Sequence, residues 1–543
     1  MNWIKKDSNI ESVKDVILSN WEIASTDEAN EWFMKSRKGN YRVNNMDKAA
    51  ELITPFKEKT VLICGDYDAD GIMAISILML ALKQAGFQNV YYKIPHRHSE
   101  GYGLNCNMVK SFYDEHAEEE VCLITVDNGV TTFDPIDLAK SYGWTVVVTD
   151  HHLGITDDDG NKILPNADVV VDPSFLQDSD FNDYCGAGLA YKLACELIGI
   201  NDARFLLSMA AIATLADMVT LREENYVFVR DGLTYLNREY APAGLLMLVR
   251  KNNLATVHDT DVAFKIGPQI NAPGRLMDDG AEIAAALMLA DSAHAAILAP
   301  KLIEINEQRK ALVAEAMEKV PEMTEGNITI EYIPGINPGI AGIVAGNICN
   351  KTSRPCIILT DSESDSTLIA GSARSIPAVN IKALFDEIAE SLHSYGGHPG
   401  AAGLSVKRDE FEAFKQRLID LMESHHFDFT DMQTSYYDLE INASDVPNMV
   451  AELAKYAPYG TGNPRPVFKV SNFLTQECKA VSQNGIRLKS PLCNAIGFGM
   501  ADKVAALNTD LVGKKNTLYG HLGVNTFRGI STYQVELSDL EVI

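Results

Sequence analysis

Short runs of apolar, β-branched residues alternate with stretches of helical spacing over the first third of the chain. The runs that predict buried strands are Thr60–Cys64, Val121–Val126, Trp144–Thr149 and Val169–Val171. Between them, Ile72–Gly86 and Pro135–Tyr142 carry apolar residues at helical intervals. Strands that alternate with helices form βαβ crossovers and a parallel sheet. The pattern predicts an α/β domain in which the residues just after each strand line a ligand-binding crevice.

Different patterns follow this domain. From Asp279 to about Val320 the spacing is helical and rich in alanine, which predicts a long connecting helix. We expect a break near Pro300, because proline removes an amide donor from a helix. A second, smaller α/β region follows at about Gly326–Ser424, with a strand at Pro355–Leu359. Beyond about Asp428, short strand-like runs separated by turn residues predict a small β-barrel.

Composition is that of an ordinary globular protein, with 46% hydrophobic and 22% charged residues among 543. A chain of this length divides into several domains. Its longest apolar run, Ile72–Leu82, is too short to span a bilayer, so we expect a buried helix and no membrane partner. The N-terminus shows no secretion signal, and the nine cysteines form no CxxC pair. These features indicate a cytoplasmic protein with reduced cysteines.

Net charge narrows the possible substrates without deciding between them. The chain has 47 basic and 74 acidic residues, a formal net charge of −27. Such a balance argues against general affinity for polyanions. An enzyme acting on nucleic acid would need local positive charge from divalent metals and a few placed arginines. The alternative is a small substrate.

The densest candidate chemistry is the string GDYDADG at Gly65–Gly71, just after the first predicted strand. Its three carboxylates, Asp66, Asp68 and Asp70, would repel one another unless cations offset them, and oxygen ligands suit Mg²⁺ or Mn²⁺. An EF-hand loop is excluded, because the twelfth position holds isoleucine inside an apolar helix instead of glutamate. The structural alternative is a solvated acidic turn.

Further acids and histidines end other predicted elements: Asp127, Asp150-His151-His152 and Asp217. Alternatively, Asp127 is a turn residue and Asp217 a helix cap or ion-pair partner. Neighbours in an extended chain point opposite ways, so we expect His151 and His152 to differ, one ligating metal and the other contacting phosphate or donating a proton. Acids and a histidine at strand ends can hold two metals about 4 Å apart. This predicts hydrolysis of a phosphoester or a phosphoanhydride and leaves open which one.

A third group combines glycines with basic or hydroxyl side chains. It consists of Arg97-His98, Gly274-Arg275, Gly371-Ser372-Ala373-Arg374 and Gly396-Gly397-His398. Glycine lets the backbone approach a ligand closely, and an arginine fork matches phosphate oxygens. Each segment alone could be a surface loop. Together they predict a second, phosphate-binding lobe.

The motifs GDYDADG, TVDNG, TDHH and LADMV, in this order, resemble those of the DHH phosphoesterase superfamily. The later NAPGR, GIVAG, GSARSIP and YGGHPGAAG resemble the RecJ branch with its DHHA1 domain, and PYGTGNPRPVF resembles the start of its oligonucleotide-binding (OB) barrel. The resemblance covers the chain from about residue 55 onwards and implies an α/β fold. We predict an N-terminal helical segment at 1–55, a DHH domain at 56–235, a helical region with the connecting helix at 236–322, a DHHA1 domain at 323–427 and an OB-like domain at 428–543.

The resemblance also implies a role for each candidate residue. The metal ligands would be Asp66, Asp68, Asp70, Asp127, His151 and Asp217. Catalysis would use Asp70, Asp127 and His152, with His152 near the scissile phosphate. Substrate phosphates, including the 5′ end, would bind at Arg97, Arg275, Ser372, Arg374 and His398.

In function, the family implies 5′→3′ degradation of single-stranded DNA to mononucleotides with two Mn²⁺ or Mg²⁺ ions, in repair and recombination. It suggests a single-strand-binding protein or a helicase as partner. One alternative is a DHH phosphodiesterase acting on small molecules or short oligonucleotides, which would not need the long region beyond Asp428. Another is an inactive replication scaffold, which would have no reason to keep every mutually repelling carboxylate.

Overall fold

The chain forms two compact units in the computed structural model. The residues described are 2–23, 41–97, 99–321, 327–363, 365–429, 434–482, 484–506, 510–527 and 530–542. The terminal unit comprises Met1–Lys38, Thr220–Glu223 and Thr430–Ile543, and the central unit comprises Gly39–Val219 and Glu224–Phe429. The terminal unit starts with β1 (Asn2–Lys5) and α1 (Val13–Asn20). All candidate site residues belong to the central unit.

The first half of the central unit is built on a parallel sheet. Its strands are β2 (Thr60–Cys64), β3 (Asn89–Lys93), β4 (Val121–Val126), β5 (Thr145–Thr149), β6 (Ile155–Thr156), β7 (Lys162–Ile163) and β8 (Val169–Val171). Its helices are α2 (Met46–Ile53), α3 (Ala69–Gln84), α4 (Cys106–Glu115), α5 (Phe133–Ser141), α6 (Pro173–Leu176), α7 (Gly186–Ile198), α8 (Ile200–Ala203) and α9 (Leu207–Ala216). Five strands pair in parallel in the order β3-β2-β4-β5-β8, and β6 and β7 form an antiparallel hairpin. The predicted strands and the α/β class are confirmed.

Strand order explains where the site forms. Every residue of β2 and β4 is buried, as expected for a sheet covered on both faces. From β2 the chain first adds β3 on one side and later places β4 on the other. The order therefore reverses between β2 and β4, and such a switch point opens a crevice at the carboxyl ends of the strands. The acidic string follows β2, and Asp127 follows β4.

A helical region follows the sheet. Its helices are α10 (Glu223–Asn237), α11 (Ala243–Lys251), α12 (Asp259–Asp261), α13 (Gly267–Leu276), α14 (Ala281–Leu289) and α15 (Ser292–Glu318), with a π-helical turn at Val262–Ile266. The break predicted near Pro300 is wrong, because α15 continues through this proline. Instead, the chain breaks at Ala290, which is extended, and Asp291 caps the next helix by accepting the amides of Ala293 and His294. A capping carboxylate, not the missing proline donor, sets the boundary.

A mixed five-stranded sheet completes the central unit. Its strands are β9 (Thr329–Tyr332), β10 (Cys356–Asp361), β11 (Leu368–Arg374), β12 (Ser394–His398) and β13 (Ala401–Lys407), in the order β12-β13-β11-β10-β9. Its helices are α16 (Pro338–Thr352), α17 (Ile381–Glu387) and α18 (Phe411–Ser424). Only β9 and β10 pair in parallel. The glycine cluster predicted from sequence lies in the edge strand β12.

The terminal unit joins the C-terminal β-region to the start of the chain. Its later elements are β14 (Thr434–Tyr437), β15 (Leu439–Asn442), α19 (Val446–Leu453), β16 (Phe468–Leu474), β17 (Glu477–Ser482), β18 (Gly485–Lys489), β19 (Asn494–Phe498), α20 (Ala501–Ala506), β20 (Lys515–Phe527) and β21 (Ile530–Val542). Seven strands form a mixed sheet in the order β15-β16-β20-β21-β19-β18-β17, where we predicted a barrel-like domain.

The segment 1–55, which we predicted to be helical, is divided between the two units. It begins with a strand, β1, that pairs in parallel with β14. Helix α1 then contributes Val13 and Ile17 to the core of the C-terminal sheet, whereas α2 lies in the central unit. The strand was missed because its pairing partner lies more than 400 residues away in sequence. None of the described helices is both long and apolar enough to cross a membrane.

Candidate active site

The acidic string after β2 forms a tight loop that leads directly into α3. Asp68 caps this helix, and its Oδ1 accepts hydrogen bonds from the amides of Asp70 (2.9 Å) and Gly71 (3.2 Å). The two oxygens of Asp70 accept the first amides of α7, at 2.6 and 2.8 Å. Glycine is required at position 71, because a Cβ there would lie 2.5 Å from the backbone of Asp66. Backbone amides therefore fix two of the three carboxylates.

Asp127 directly follows β4 and has a left-handed backbone conformation, with φ of 60°. Such a conformation is uncommon for a residue with a side chain and persists where the surroundings enforce it. Gly186 packs so closely here that a Cβ on it would lie 2.5 Å from the Asp127 Cβ. The local packing thus holds this carboxylate in place.

His151 brings three carboxylates together. Its Nε2 lies 3.0 Å from Asp127 Oδ1, 3.6 Å from Asp70 Oδ2 and 3.8 Å from Asp217 Oδ2. Asp217 is the residue that ends α9, at its C-terminal cap. The ends of β4, β5, α9 and the start of α3 therefore converge at one imidazole.

His152 has different neighbours. Its side chain is 44% exposed, and its Nδ1 lies 2.7 Å from Asp150 Oδ1. The buried Asp150 also accepts the amide of Val130 at 2.9 Å. Tyr102 donates its hydroxyl to the carbonyl oxygen of Asp127 (2.7 Å) and lies 3.2 Å from His152 Nδ1. His151 therefore faces the carboxylates, whereas Asp150 and Tyr102 orient His152 at the partly exposed edge of the site.

Crowding of buried carboxylates raises their pKa values. Burial and the charge of Asp68 raise the pKa of Asp66 to about 8. Burial and the charge of Asp70 raise the pKa of Asp217 to about 8, and the same two causes raise that of Asp127 well above its ordinary value. In addition, Asp66 Oδ1 is buried and has no hydrogen-bond partner among the described residues. The positive charges of Arg97 near Asp66 and of His152 near Asp217 act in the opposite direction but do not offset the effect, so the ionised form needs further positive charge.

The two histidines differ in their pKa values. Burial lowers the pKa of His151, which favours a neutral imidazole. Burial acts in the same direction on His152, but the hydrogen bond and the charge of Asp150 outweigh it and raise the pKa to about 9. Burial disfavours the charge of Asp150, yet its bond with His152 brings its pKa below the ordinary value. At neutral pH the two rings therefore carry different charges.

The donor set fits divalent cations. Three groups of ligand atoms lie within 4.8 Å of one another: Asp66, Asp68 and Asp127; Asp70, His151 and Asp217; and Asp127, His151 and His152. Carboxylates with an imidazole suit Mn²⁺ or Mg²⁺, whereas structural zinc sites favour thiolates. A cation would also supply the partner that the buried Asp66 oxygen lacks. We name these seven residues the acidic cluster.

Four arginines gather from separate segments: Arg97 after β3, Arg275 on α13, Arg309 on α15 and Arg374 on β11. Burial, with the charges of the other three, lowers the pKa of Arg275 to about 10. The arginine ion pairs among the described residues involve none of these four. We name them the arginine group. Among the described residues these like charges thus meet without a carboxylate at ion-pair distance, although the charge of Asp68 acts on Arg275 and that of Glu307 on Arg309.

The remaining predicted phosphate contacts lie near this group or at the same end of the second sheet. A Cβ on Gly342 of α16 would lie 2.8 Å from Arg374 Nη2 and 3.2 Å from Ser372 Oγ. His398 ends β12 and is exposed; it pairs with Ala401, which also pairs with Arg374. His98 lies outside the described residues. The structure brings Arg97, Arg275 and Arg374 together with Ser372 nearby, and it shows no side-chain contact for His398 among the described residues.

Three family domains match the chain in order. Residues 60–220 match the DHH family N-terminal domain, residues 325–424 the DHHA1 domain and residues 437–539 the RecJ OB domain. The single-stranded-DNA-specific exonuclease RecJ of Haemophilus influenzae is 32% identical over 531 residues, which cover 90% of this chain and 88% of that protein. The chain belongs to the RecJ family.

Two further RecJ proteins are similar to this chain. The single-stranded-DNA-specific exonuclease RecJ of Bacillus subtilis is 28% identical over 521 residues; the match covers 92% of this chain but 64% of that longer protein. The crystal structure of Thermus thermophilus RecJ in complex with Mn²⁺ matches with a TM-score of 0.75 at 26% identity, covering 92% of this chain and 72% of that one. Membership of the RecJ family confirms the resemblance inferred from the order of the motifs.

Sequence reasoning missed several residues of this RecJ-family site. Asp150 was visible in the DHH string but received no role, although it is the partner of His152. Tyr102 stands between two glycines and carries no signal of its own. Asn271 accepts the amide of Ala69 through its Oδ1 at 2.7 Å, tying α13 to the acidic loop. Arg309 looked like one of many charges on a long helix.

Proposed function

We propose that this RecJ-family chain is a metal-dependent exonuclease that degrades single-stranded DNA from the 5′ end to mononucleotides. The observation that carries the proposal is the acidic cluster beside the arginine group, both within the central unit. The acidic cluster is suited to bind cations, and the arginine group is suited to bind anions. A DNA backbone that binds together with divalent metal ions supplies both. The relatives are single-stranded-DNA-specific exonucleases, which supports DNA as the substrate.

Two ions, Mn²⁺ or Mg²⁺, would be held by the acidic cluster. Asp66, Asp68 and Asp127 would bind one of them, and Asp70, His151 and Asp217 the other. Such ions polarise the phosphate and lower the pKa of water so that hydroxide forms at neutral pH. The protein's own contribution is to hold the carboxylates rigidly through backbone amides, as it does for Asp68 and Asp70.

His152 would act on the leaving group. Its raised pKa keeps the ring protonated at neutral pH, and Asp150 holds Nδ1, while Nε2, which lies 3.3 Å from the Tyr102 hydroxyl, would donate to the substrate. As water adds to phosphorus, the bond between phosphorus and the 3′-oxygen of the terminal nucleotide breaks. His152 would give its proton to that oxygen. The products are a 5′-mononucleotide and a strand that again bears a 5′-phosphate.

The 5′-terminal phosphate would bind at Arg97, Arg275, Ser372, Arg374 and His398. Arginine forks suit phosphate oxygens, and a partly buried arginine without a carboxylate partner has donors to spare. An arginine site for a terminal phosphate one nucleotide from the metals would explain release of single nucleotides. It would also explain entry from the 5′ end.

The terminal unit would also bind the DNA strand. On its sheet, Lys479 of β17 lies directly opposite Arg487 of β18, and both are exposed. Like charges in cross-strand pairs destabilise a sheet, and Glu477 offsets part of this charge by pairing with Lys479. A phosphate backbone would offset the charge of Arg487 further, in keeping with the match to the RecJ OB domain.

We further propose that the chain works in the cytoplasm on DNA in repair and recombination, with a single-strand-binding protein or a helicase as partner. All nine cysteines are described and none forms a disulfide. This agrees with a reducing compartment.

A nuclease assay tests the proposal. The chain is incubated with Mn²⁺ and with single-stranded DNA, double-stranded DNA or a dinucleotide, each labelled at the 5′ end. We expect rapid release of labelled mononucleotide from the single strand only. Asp127→Ala should abolish this release, whereas Asp137→Ala, which removes an exposed carboxylate on α5, should not. Preference for the dinucleotide would favour a small-molecule phosphodiesterase, and inertness towards all three substrates would favour a scaffold.

A further inference from the structure

A cavity of about 240 Å³ lies beside the acidic cluster in the central unit. Ala216 and Met218, the chain neighbours of Asp217, contribute to its lining. Much of the remaining lining is apolar, and its polar side chains come from Asn271, Arg275 and Arg309. The cavity therefore joins a candidate metal ligand to two members of the arginine group.

Arg309 is held in place by a buried amide. Its Nε donates to Asn306 Oδ1 at 3.0 Å, and Asn306 is fully buried. The Nδ2 of Asn306 has no hydrogen-bond partner among the described residues, and no acceptor among them takes the other guanidinium N–H groups of Arg309. An oriented arginine with unused donors on a cavity is arranged to bind an anion.

Arg309 stands apart from the arginines assigned to the terminal phosphate. Arg275 and Arg309 both line the cavity, whereas Arg97 and Arg374 do not, and the charges of Arg97, Arg309 and Arg374 all act on Arg275. Arg275 thus lies between two positions, one formed by Arg97 and Arg374 and the other by Arg309. The arginine group has room for more than one phosphate.

We propose that Arg309 and the cavity form a subsite for a second nucleotide of the strand: Arg309 binds an internal phosphate, and the apolar lining receives the adjoining base. This inference rests on the proposed function. A site for phosphate alone would not need an apolar lining. The subsite is expected to bind every base alike, because apolar contacts tolerate every base.

Neutral linkages in the DNA test the subsite. One single strand is made with a 5′-phosphate and with a single uncharged methylphosphonate at the second, the third or a distant linkage. Its Kd is measured by fluorescence anisotropy and its kcat and KM by nucleotide release. We expect one near linkage, when neutral, to weaken binding to the wild type about tenfold, and Arg309→Gln to weaken binding to the unmodified strand equally. The two losses should not add, because they remove the two halves of one contact.

Control variants separate contact from structure. Lys310→Gln removes a charge from the next, exposed position of α15, where Lys310 pairs with Glu307, and should behave as the wild type. Arg309→Lys, which keeps the charge, should be intermediate. The subsite is overturned if Arg309→Gln binds like the wild type, if its loss adds to that of every neutral linkage, or if changing the second base alters Kd more than tenfold. A wild type inert on the unmodified strand would instead overturn the proposed function, and the subsite with it.

Discussion

The acidic cluster and the arginine group are two regions of one unit, and each brings side chains of like charge together away from solvent. The charges are negative in the acidic cluster and positive in the arginine group. In the first, burial and repulsion raise the pKa values of Asp66, Asp127 and Asp217. In the second, they lower the pKa of Arg275. One buried ion pair of the unit shows the contrast. Lys192 lies 3.1 Å from Glu224, and both side chains are largely buried.

The contrast shows how a ligand can be read from charges that lack partners. A buried charge whose task is structural is expected to have a counter-ion, because an unpaired one costs several kcal/mol. Two neighbouring groups of unpaired, opposite charge instead call for a ligand carrying both signs. Metal ions with a phosphate backbone meet that description, and the predictions below test each side of it.

The largest expected effect lies on the acidic side. Asp127→Asn should lower kcat at least about 1,000-fold, because a carboxylate shared between two groups of ligands would be lost. Asparagine is the sharper choice, since it tolerates the left-handed φ of 60° better than alanine does. Thermal unfolding in a chelator should show no loss of stability, because the substitution removes a repelling charge. Activity within tenfold of the wild type would remove Asp127 from the metal site.

On the arginine side we expect a smaller loss. Arg374→Met should weaken binding of a 5′-phosphorylated strand about 10- to 100-fold, because it removes charge-assisted hydrogen bonds to the phosphate. Such bonds strengthen binding by about this factor. Binding of a strand with a 5′-hydroxyl should change little. The matched control is Arg408→Met, which removes an arginine that pairs with Asp361 at 2.7 Å. If both variants lose affinity alike, the absence of a carboxylate partner does not mark the phosphate site.

The acidic side was more open to prediction from sequence than the arginine side. Asp66, Asp68 and Asp70 are adjacent, and Asp127 and His151 follow strands whose apolar runs are unmistakable. A parallel sheet brings strand ends together, so one rule placed them all. Physical reasoning from these residues predicted a hydrolase that uses two metal ions. The prediction that its substrate is DNA came from the resemblance to the RecJ family.

The arginine group could not be derived in the same way. Its members are spread from Arg97 to Arg374, and they meet only through tertiary packing of helices and a second sheet. Arg309 is close in sequence to Glu307 and Lys310, on a helix with many charged residues. The sequence alone therefore did not indicate that the Arg309 side chain is partly buried. The strand β1 was missed for the same reason, since its pairing with β14 is set by distant residues.

The pH dependence of stability sharpens the comparison further. In the metal-free protein the folded pKa values of Asp66 and Asp217, about 8, lie above the ordinary value near 3.9 in the unfolded chain. Their contribution is therefore complete below about pH 4 and is lost as the pH rises towards 8. We expect the Tm in a chelator to fall by several degrees between pH 5.5 and pH 8.5, equivalent to roughly 1–3 kcal/mol. With Mn²⁺ the Tm should rise over the same range, because the ions bind ionised carboxylates. A metal-free Tm that rises with pH would contradict the inferred repulsion.

The smallest expected effect belongs to Tyr102, which touches both regions. Its ring meets that of Tyr67 edge-on at 6.4 Å, and Arg97 lies 4.6 Å over Tyr67, while its hydroxyl serves Asp127 and His152. Tyr102→Phe keeps the ring and removes the hydroxyl contacts with Asp127 and His152, so we expect kcat to fall about 3- to 10-fold with little change in KM. A fall in kcat alone would assign the hydroxyl to the proton-donating histidine. A rise in KM at constant kcat would instead show that Tyr102 acts with the arginine group in binding the substrate phosphate. The boundary between the arginine group and the acidic cluster would then lie between Tyr102 and His152.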